Sequence, residues 1–109
     1  MGLIPNYLEH QYKIRHTNNI DSMKITIVAK STLAPSYSNV FLQIWNVKTS
    51  SWETLVIDDT SASNEKFYLV GRIMSNQQNY YDTEVKDKYF PETYNLNEIT
   101  IRLYQEVIF

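Results

Sequence analysis

The two histidines, His10 and His16, are the first candidates for acid–base chemistry or metal binding, because imidazole is the side chain that most often serves in these roles. A general base needs a partner within hydrogen-bond reach, and a metal ion usually needs at least a third protein ligand. The sequence around these histidines supplies neither pattern. The chain also has no cysteine, which excludes thiol nucleophiles and thiolate zinc sites. We therefore interpret both histidines as surface or edge-strand residues and expect no enzyme activity.

Glycine and carboxylate patterns also give no indication of a catalytic centre. Phosphate-binding loops need clustered glycines, whereas Gly71 lies alone inside a predicted strand. Carboxylate pairs of the kind that glycosidases use could form from Asp58 and Asp59 with Glu65, or from Asp82 with Glu84. Such residues are common in turns, where water solvates them, so we assign them no catalytic role.

The acidic loop from residue 58 to residue 65 is the strongest candidate for a metal site. Asp58, Asp59 and Glu65 offer hard oxygen ligands, which calcium prefers. Their spacing matches no dedicated calcium-binding loop. We therefore expect no cofactor, and a structural calcium ion on these three residues is the less favoured alternative to a solvated loop.

Two tryptophans on either side of a turn give the sharpest indication of function. Side by side on an open sheet, two indoles would form a flat apolar platform with polar edges, which suits a glycan. The predicted ligand-binding residues on this face are Trp45, Trp52, Phe41, Gln43 and Arg102, and Asn46 and Glu53 are further candidates for hydrogen bonds to sugar hydroxyls. Aromatic residues in strands more often serve packing, so the alternative is that the N-terminal arm or a neighbouring subunit covers this face.

Length, charge and hydropathy exclude other classes of protein. A chain of 109 residues has room for one hydrophobic core. A net charge of -2, with both signs interspersed, provides no basic surface for nucleic acid. No segment approaches the roughly 20 apolar residues of a membrane span, so we expect a soluble protein without membrane insertion.

Hydrophobic alternation predicts the elements that position these residues. Residues 1–10 show no period and are interpreted as an N-terminal arm, and residues 11–109 as a single domain. The predicted strands cover residues 11–17, 23–30, 40–47, 52–57, 67–74 and 98–108, with short pieces at 80–81 and 85–89. Polar, turn-rich segments separate them. The sequence therefore predicts an all-β protein, an antiparallel β-sandwich of jelly-roll-like form with about 6–8 strands.

The same alternation predicts how the strands on either side of residues 48–51 pair. A four-residue loop there places Ile44 opposite Leu55 and Leu42 opposite Ile57, which collects aliphatic side chains on the core face. The two tryptophans then lie together on the other face.

Several segments together resemble a known type of module. They are Ser31–Ser38, Val40–Asn46, Ser51–Leu55, Asn79–Asp82 and Ile101–Gln105. The part of the chain that these segments span, which is most of it, resembles a jelly-roll-like β-sandwich accessory module. This module recurs in bacterial, archaeal and phage surface or tail-type proteins, and its function is generally unassigned. The resemblance implies a noncatalytic appendage, similar in shape to carbohydrate-binding modules, and it supplies no catalytic residues.

These observations lead to two functional hypotheses. The first is a noncatalytic binding or adhesion module that recognises glycans or a cell surface. The alternative is a structural assembly subunit of a virion, tail fibre or surface layer, whose exposed faces contact other subunits, including copies of itself. Both hypotheses favour an extracellular, cell-surface or virion location.

Overall fold

The computed structural model describes residues 8–16, 22–74, 80 and 97–106, and there the chain is all-β. Its strands are β1 (Leu8–His16), β2 (Ser22–Ala29), β3 (Val40–Asn46), β4 (Ser51–Asp58), β5 (Phe67–Met74) and β6 (Asn97–Gln105). One sheet has four strands in the order β1-β6-β3-β4, and the other pairs β2 with β5. All four strand pairings are antiparallel. Within these ranges no helix has the length and hydropathy needed to cross a membrane.

One hydrophobic core is built from alternate residues of both sheets. Every second residue of β3 and of β5 is buried, because successive side chains of a strand point to opposite sides. The buried hydrophobic residues are Ile25, Val40, Leu42, Ile44, Phe67, Leu69, Ile73, Tyr80, Ile99 and Ile101. The inner faces of the two sheets therefore share this core, and the outer face of each sheet lies outside it.

Six predicted strands are confirmed, with differences at their ends. Residues 67–74 form β5 as predicted. Strand β1 begins at Leu8, inside the segment interpreted as an arm, because residues 8–10 pair with residues 103–105 of β6. The predicted short pieces at 80–81 and 85–89 lie outside the described residues, except for Tyr80, which belongs to no strand.

The β3–β4 hairpin has a different register from the predicted one. Leu42 faces Val56, one residue before the predicted Ile57. Ile44 faces Glu53, two residues before the predicted Leu55, so both predicted partners are wrong. The prediction that the two tryptophans lie together on the outer face is confirmed, since they pair directly across the two strands.

The turn that sets this register is organised by Asn46. Its Oδ1 accepts hydrogen bonds from the backbone N–H groups of Lys48 at 2.9 Å and Thr49 at 3.1 Å. The backbone N–H of Ser50 donates to the Asn46 carbonyl at 2.8 Å, and Ser50 has a φ of 53°. The loop therefore spans residues 47–50, one residue earlier than predicted, because an Asx turn starts at Asn46.

A bulge in β4 brings the two sheets close together. The β3–β4 register shifts between Leu42 and Gln43, which leaves Leu55 as the extra residue on β4. Leu55 and Val56 both pack against the core. Opposite them lies Gly71 of β5, where a Cβ would stand 2.9 Å from Leu55 Cδ1 and 3.1 Å from Leu42 Cδ2. Glycine at this position therefore permits the close approach of β5 to β3 and β4.

Candidate binding face on the four-stranded sheet

The outer face of the four-stranded sheet carries all the predicted ligand-binding residues. Strand pairing arranges this face in rows that cross the strands. The first row contains Glu9, Tyr104, Phe41 and Ile57, and the second contains Gln11, Arg102, Gln43 and Thr54. In the third row, Lys13 of β1 lies beside Thr100 of β6. Trp45 and Trp52 pair with each other next to this row, towards the turn between β3 and β4. The structure therefore brings the five predicted residues together on one surface, which β1 and β6 complete.

Trp45 and Trp52 contact each other edge to face. Their ring centroids are 5.2 Å apart and their planes meet at 68°. This arrangement is favoured because the positive edge of one ring meets the negative face of the other. Both side chains are half-buried. The predicted flat platform is therefore wrong, and the pair instead forms an angled apolar surface.

Arg102 lies at the centre of the face and is held from several sides. Its Nε donates to Gln43 Oε1 at 2.7 Å, and its Nη1 donates to Glu9 Oε2 at 2.5 Å. The guanidinium carbon lies 4.4 Å from the centroid of the Trp52 ring and 4.7 Å from that of Tyr104. The Arg102 side chain is only 17% exposed. These contacts make Arg102 a residue that positions Trp52 and Gln43.

Amide side chains extend this network across the sheet. Gln11 Nε2 donates to Glu9 Oε1 at 2.7 Å, and Gln43 Nε2 donates to Thr54 Oγ1 at 3.0 Å. The hydrogen bond from Gln11 lowers the pKa of the Glu9 carboxyl; partial desolvation opposes this effect, and Arg102 adds to it. Glu9 is therefore ionised at neutral pH and balances the charge of Arg102.

A shallow depression opens between the tryptophans and β1. It has a volume of about 360 Å³ and is lined by Gln11, Lys13, Trp45, Trp52 and Thr100. The Lys13 side chain is 63% exposed, and its Nζ lies 3.8 Å from Glu98 Oε1. Indole surfaces, an amide, a hydroxyl and an ammonium group thus surround one space. Sequence reasoning missed Gln11, Lys13 and Thr100, because only the pairing of β1 with β6 brings them beside the tryptophans.

Two residues predicted to edge this face belong to the core side of the sheet instead. Asn46 is only 3% exposed, and its Nδ2 donates to Glu53 Oε2. The Tyr80 hydroxyl donates to Glu53 Oε1 at 2.9 Å. Desolvation raises the pKa of Tyr80, and the Glu53 carboxylate raises it further. Asn46 and Glu53 therefore face away from this surface and form a part-buried polar cluster with Tyr80.

The acidic loop proposed for calcium is organised by its own hydrogen bonds. Asp58 Oδ1 accepts from the backbone N–H groups of Thr60 and Ser61 at 3.0 Å each, and Asp58 Oδ2 accepts from Ser61 Oγ at 2.6 Å. Desolvation raises the pKa of Asp58, but these hydrogen bonds outweigh it, so the net pKa is lowered. Asp59 and Glu65 are exposed. In the described part of the chain, no three His, Cys, Asp or Glu residues are grouped to hold a metal ion.

Comparison with known proteins adds no relative, because no family model, no curated protein and no solved structure matches the chain. The resemblance to surface and tail-type modules stays a prediction. The function must therefore be inferred from the geometry of the candidate face.

Proposed function

We propose that the chain is a noncatalytic binding module whose depression beside Trp45 and Trp52 recognises a glycan. The observation that carries this proposal is the lining of the depression, in which two indoles lie beside Gln11, Lys13 and Thr100. A sugar ring offers an apolar face of C–H groups and a rim of hydroxyls. Aromatic surface next to an amide, a hydroxyl and an ammonium group can contact both parts at once.

The shape of the depression favours a short stretch of a glycan chain. Ligand pockets span roughly 300–1,000 Å³, so a space of about 360 Å³ lies at the small end. Because the indole planes meet at 68°, one ring can stack on a sugar while the other contacts its edge. An open site leaves the ligand partly hydrated, so we expect a dissociation constant on the order of 0.1–1 mM.

Fluorescence titration tests this proposal directly. The purified protein is titrated with cellohexaose, chitohexaose, mannohexaose and an oligomer of galacturonate, while tryptophan emission is recorded. We expect a saturable change with at least one of these probes. Trp45→Ala removes one wall of the depression and leaves Trp52 as the reporter, and it should weaken that binding by about tenfold or more.

The matched control is Tyr68→Ala, which removes an exposed aromatic side chain from the other sheet. This variant should bind the same probe with unchanged affinity, and the circular dichroism spectra of both variants should match that of the parent. Affinity that is unchanged in Trp45→Ala, or no saturable change with any probe, contradicts the proposal.

The finer description of the fold belongs to the same proposal. Two antiparallel sheets with a shared core support a β-sandwich. A jelly roll has eight strands in two sheets, so it requires two further strands to pair with β2 or β5. An experimental structure that includes residues 75–96 tests this topology.

A glycan-binding module implies an extracellular, cell-surface or virion location.

A structural assembly subunit is the second candidate function, and the two-stranded sheet favours it. Its outer face exposes Val28, Tyr68 and Val70, at 52%, 62% and 40%. Val28 pairs directly with Tyr68, so their side chains form one apolar patch. Exposed apolar patches mark contacts with other proteins. If Tyr68→Ala and Val28→Ser shift a purified oligomer to smaller species, the assembly function gains support. If the chain is a monomer that binds an oligosaccharide, the assembly function loses support.

A further inference from the structure

Strand β1 lies at one edge of the four-stranded sheet, and several of the features that usually protect such an edge are absent from it. Among the described residues, only β6 pairs with it, along one side. Natural edge strands are protected by charged side chains, by proline, by bulges or by short length. Strand β1 has 9 residues, no proline and an uninterrupted register with β6, and its charged residues Glu9, Lys13 and Arg15 are of both signs, so an antiparallel copy of the strand can pair Glu9 with Lys13. Within the described part of the chain, the outer edge of β1 therefore presents a continuous row of backbone donors and acceptors.

Of the core-side side chains of β1, those of Tyr12 and Ile14 are incompletely covered by the described strands of the other sheet. The second sheet has two strands, whereas the first has four, and β5 lies against β4 at the opposite end. Between β1 and β2 an apolar groove of about 340 Å³ is lined by Tyr12, Ile14, Ile25 and Ile27, among others. Tyr12 is 46% exposed. An additional strand along β1 would extend the sheet and cover this groove.

We infer that this edge binds a second copy of the same chain, with β1 pairing antiparallel to β1 about a two-fold axis at Gln11. In this register Glu9 faces the partner's Lys13 and His10 faces the partner's Tyr12, and each pair occurs twice. Both Glu9 and Lys13 lie on the outer face, so on each side of the axis one copy's Lys13 joins the other copy's Glu9 carboxylate, which also accepts from Arg102 and Gln11, and both contacts form on the same side of the sheet.

Charge distribution favours self-pairing of β1 over self-pairing of the other edge strands. Strand β1 combines Glu9 with Lys13, so an antiparallel copy can match opposite charges. Strand β2 carries Lys24 without an acidic residue, and β5 carries Arg72 without one. Strand β4 has Glu53 and Asp58 and no base. Self-pairing of β2, β4 or β5 therefore gains no cross-strand ion pair.

The pairing extends the candidate binding face. A two-fold axis perpendicular to the sheet joins two four-stranded sheets into one of eight strands, with both depressions on the same side. With strands about 4.8 Å apart, the Trp45 positions of the two copies are about 24 Å apart across the sheet. This consequence rests on the proposed function, because two sites on one surface would give avidity for a long glycan. The dimer itself does not depend on it.

Sedimentation velocity from low micromolar to millimolar concentration tests the dimer without any ligand. An edge-to-edge interface is small, so we expect a monomer–dimer equilibrium with a dissociation constant on the order of micromolar. Lys13→Glu places four acidic side chains together at the interface and should weaken the dimer at least tenfold. Lys24→Glu, on an exposed face of β2, makes the same charge change and should leave it unchanged. A monomer throughout this range overturns the inference.

Disulfide trapping tests the register, and because the chain has no cysteine of its own, any disulfide must join the introduced residues. In Gln11→Cys, two cysteines face each other across the axis, within about 4.5–5.5 Å between Cβ atoms, so oxidation should yield a covalent dimer. In Lys13→Cys, the two cysteines are four residues apart along the strands, about 14 Å, and should stay unlinked. Efficient trapping at residue 13 and not at residue 11 contradicts the proposed pairing. A dimer weakened by Tyr68→Ala and not by Lys13→Glu assigns assembly to the other sheet and also overturns it.

Discussion

Replacing Gly71 with alanine tests how closely the two sheets pack. The added Cβ would lie 2.9 Å from Leu55 Cδ1, 3.1 Å from Leu55 Cβ and 3.1 Å from Leu42 Cδ2. Rotation of Leu55 can move its Cδ1, but its Cβ is fixed to the backbone, so β4 and β5 must separate. Overpacking of this kind costs about 1–3 kcal/mol. Alanine recovers about 0.4–1 kcal/mol through the smaller entropy of its unfolded chain. Taking the middle of each range, we expect Gly71→Ala to lower the free energy of unfolding by about 1.3 kcal/mol.

Urea unfolding followed by tryptophan fluorescence measures this loss as a lower midpoint at an unchanged slope. Leu55→Ala should cost about 2 kcal/mol alone, because Leu55 is only partly buried. It also removes the Cδ1 contact and loosens β4, so the double variant should lose about 1 kcal/mol less than the sum of the two single losses.

Val70→Ala is the control, since Val70 is adjacent to Gly71 but exposed on the outer face. It should change the free energy of unfolding by about 0.5 kcal/mol or less. Unchanged or increased stability in Gly71→Ala, or strict additivity with Leu55→Ala, refutes the close approach of the sheets.

Three further predictions concern the polar groups of the structure. Asn46→Asp keeps the acceptor of the turn but faces Glu53 with a second carboxylate, so urea unfolding should show a loss of about 1–3 kcal/mol at neutral pH that shrinks on acidification. Asp58 has a lowered pKa in the folded protein, so the stability it contributes is present above its unfolded pKa of about 3.9 and is lost as the pH falls through the lower folded pKa. Asp58→Asn should therefore flatten the dependence of the free energy of unfolding on pH below about pH 4. Tyr80 has a raised pKa, so the stability it contributes is lost as pH rises above about 10, and Tyr80→Phe should remove this part of the alkaline unfolding. A stability profile for each variant that parallels the parent at every pH contradicts the corresponding assignment.

The strands and their faces could be predicted because alternation is a local signal. Strand β5 has the predicted bounds, and its buried positions follow strict alternation from Phe67 to Ile73. The inward positions Ile99 and Ile101 on β6 are likewise buried. Each such assignment depends only on which neighbours in the sequence are apolar.

The register and the depression could not be predicted from the same signal. The turn starts at Asn46 because of a side-chain hydrogen bond, and the bulge at Leu55 moves two adjacent residues to the core, so neither follows from alternation. Arg102 binds Glu9, which is 93 residues away in the sequence, and only the pairing of β1 with β6 brings them together. The angle between Trp45 and Trp52 depends on side-chain packing, which spacing does not encode.

Titration monitored by proton–nitrogen correlation spectra tests the central claim most directly, because it reports on each group of the depression separately. With the oligosaccharide that changes the fluorescence, the indole N–H signals of Trp45 and Trp52 and the side-chain amide of Gln11 should shift together along one saturation curve. The backbone amide of Tyr68, on the opposite sheet, should not move. If none of the three depression signals moves at millimolar oligosaccharide, or if the shifts cluster around Tyr68 instead, the face beside the tryptophans is not a glycan-binding site.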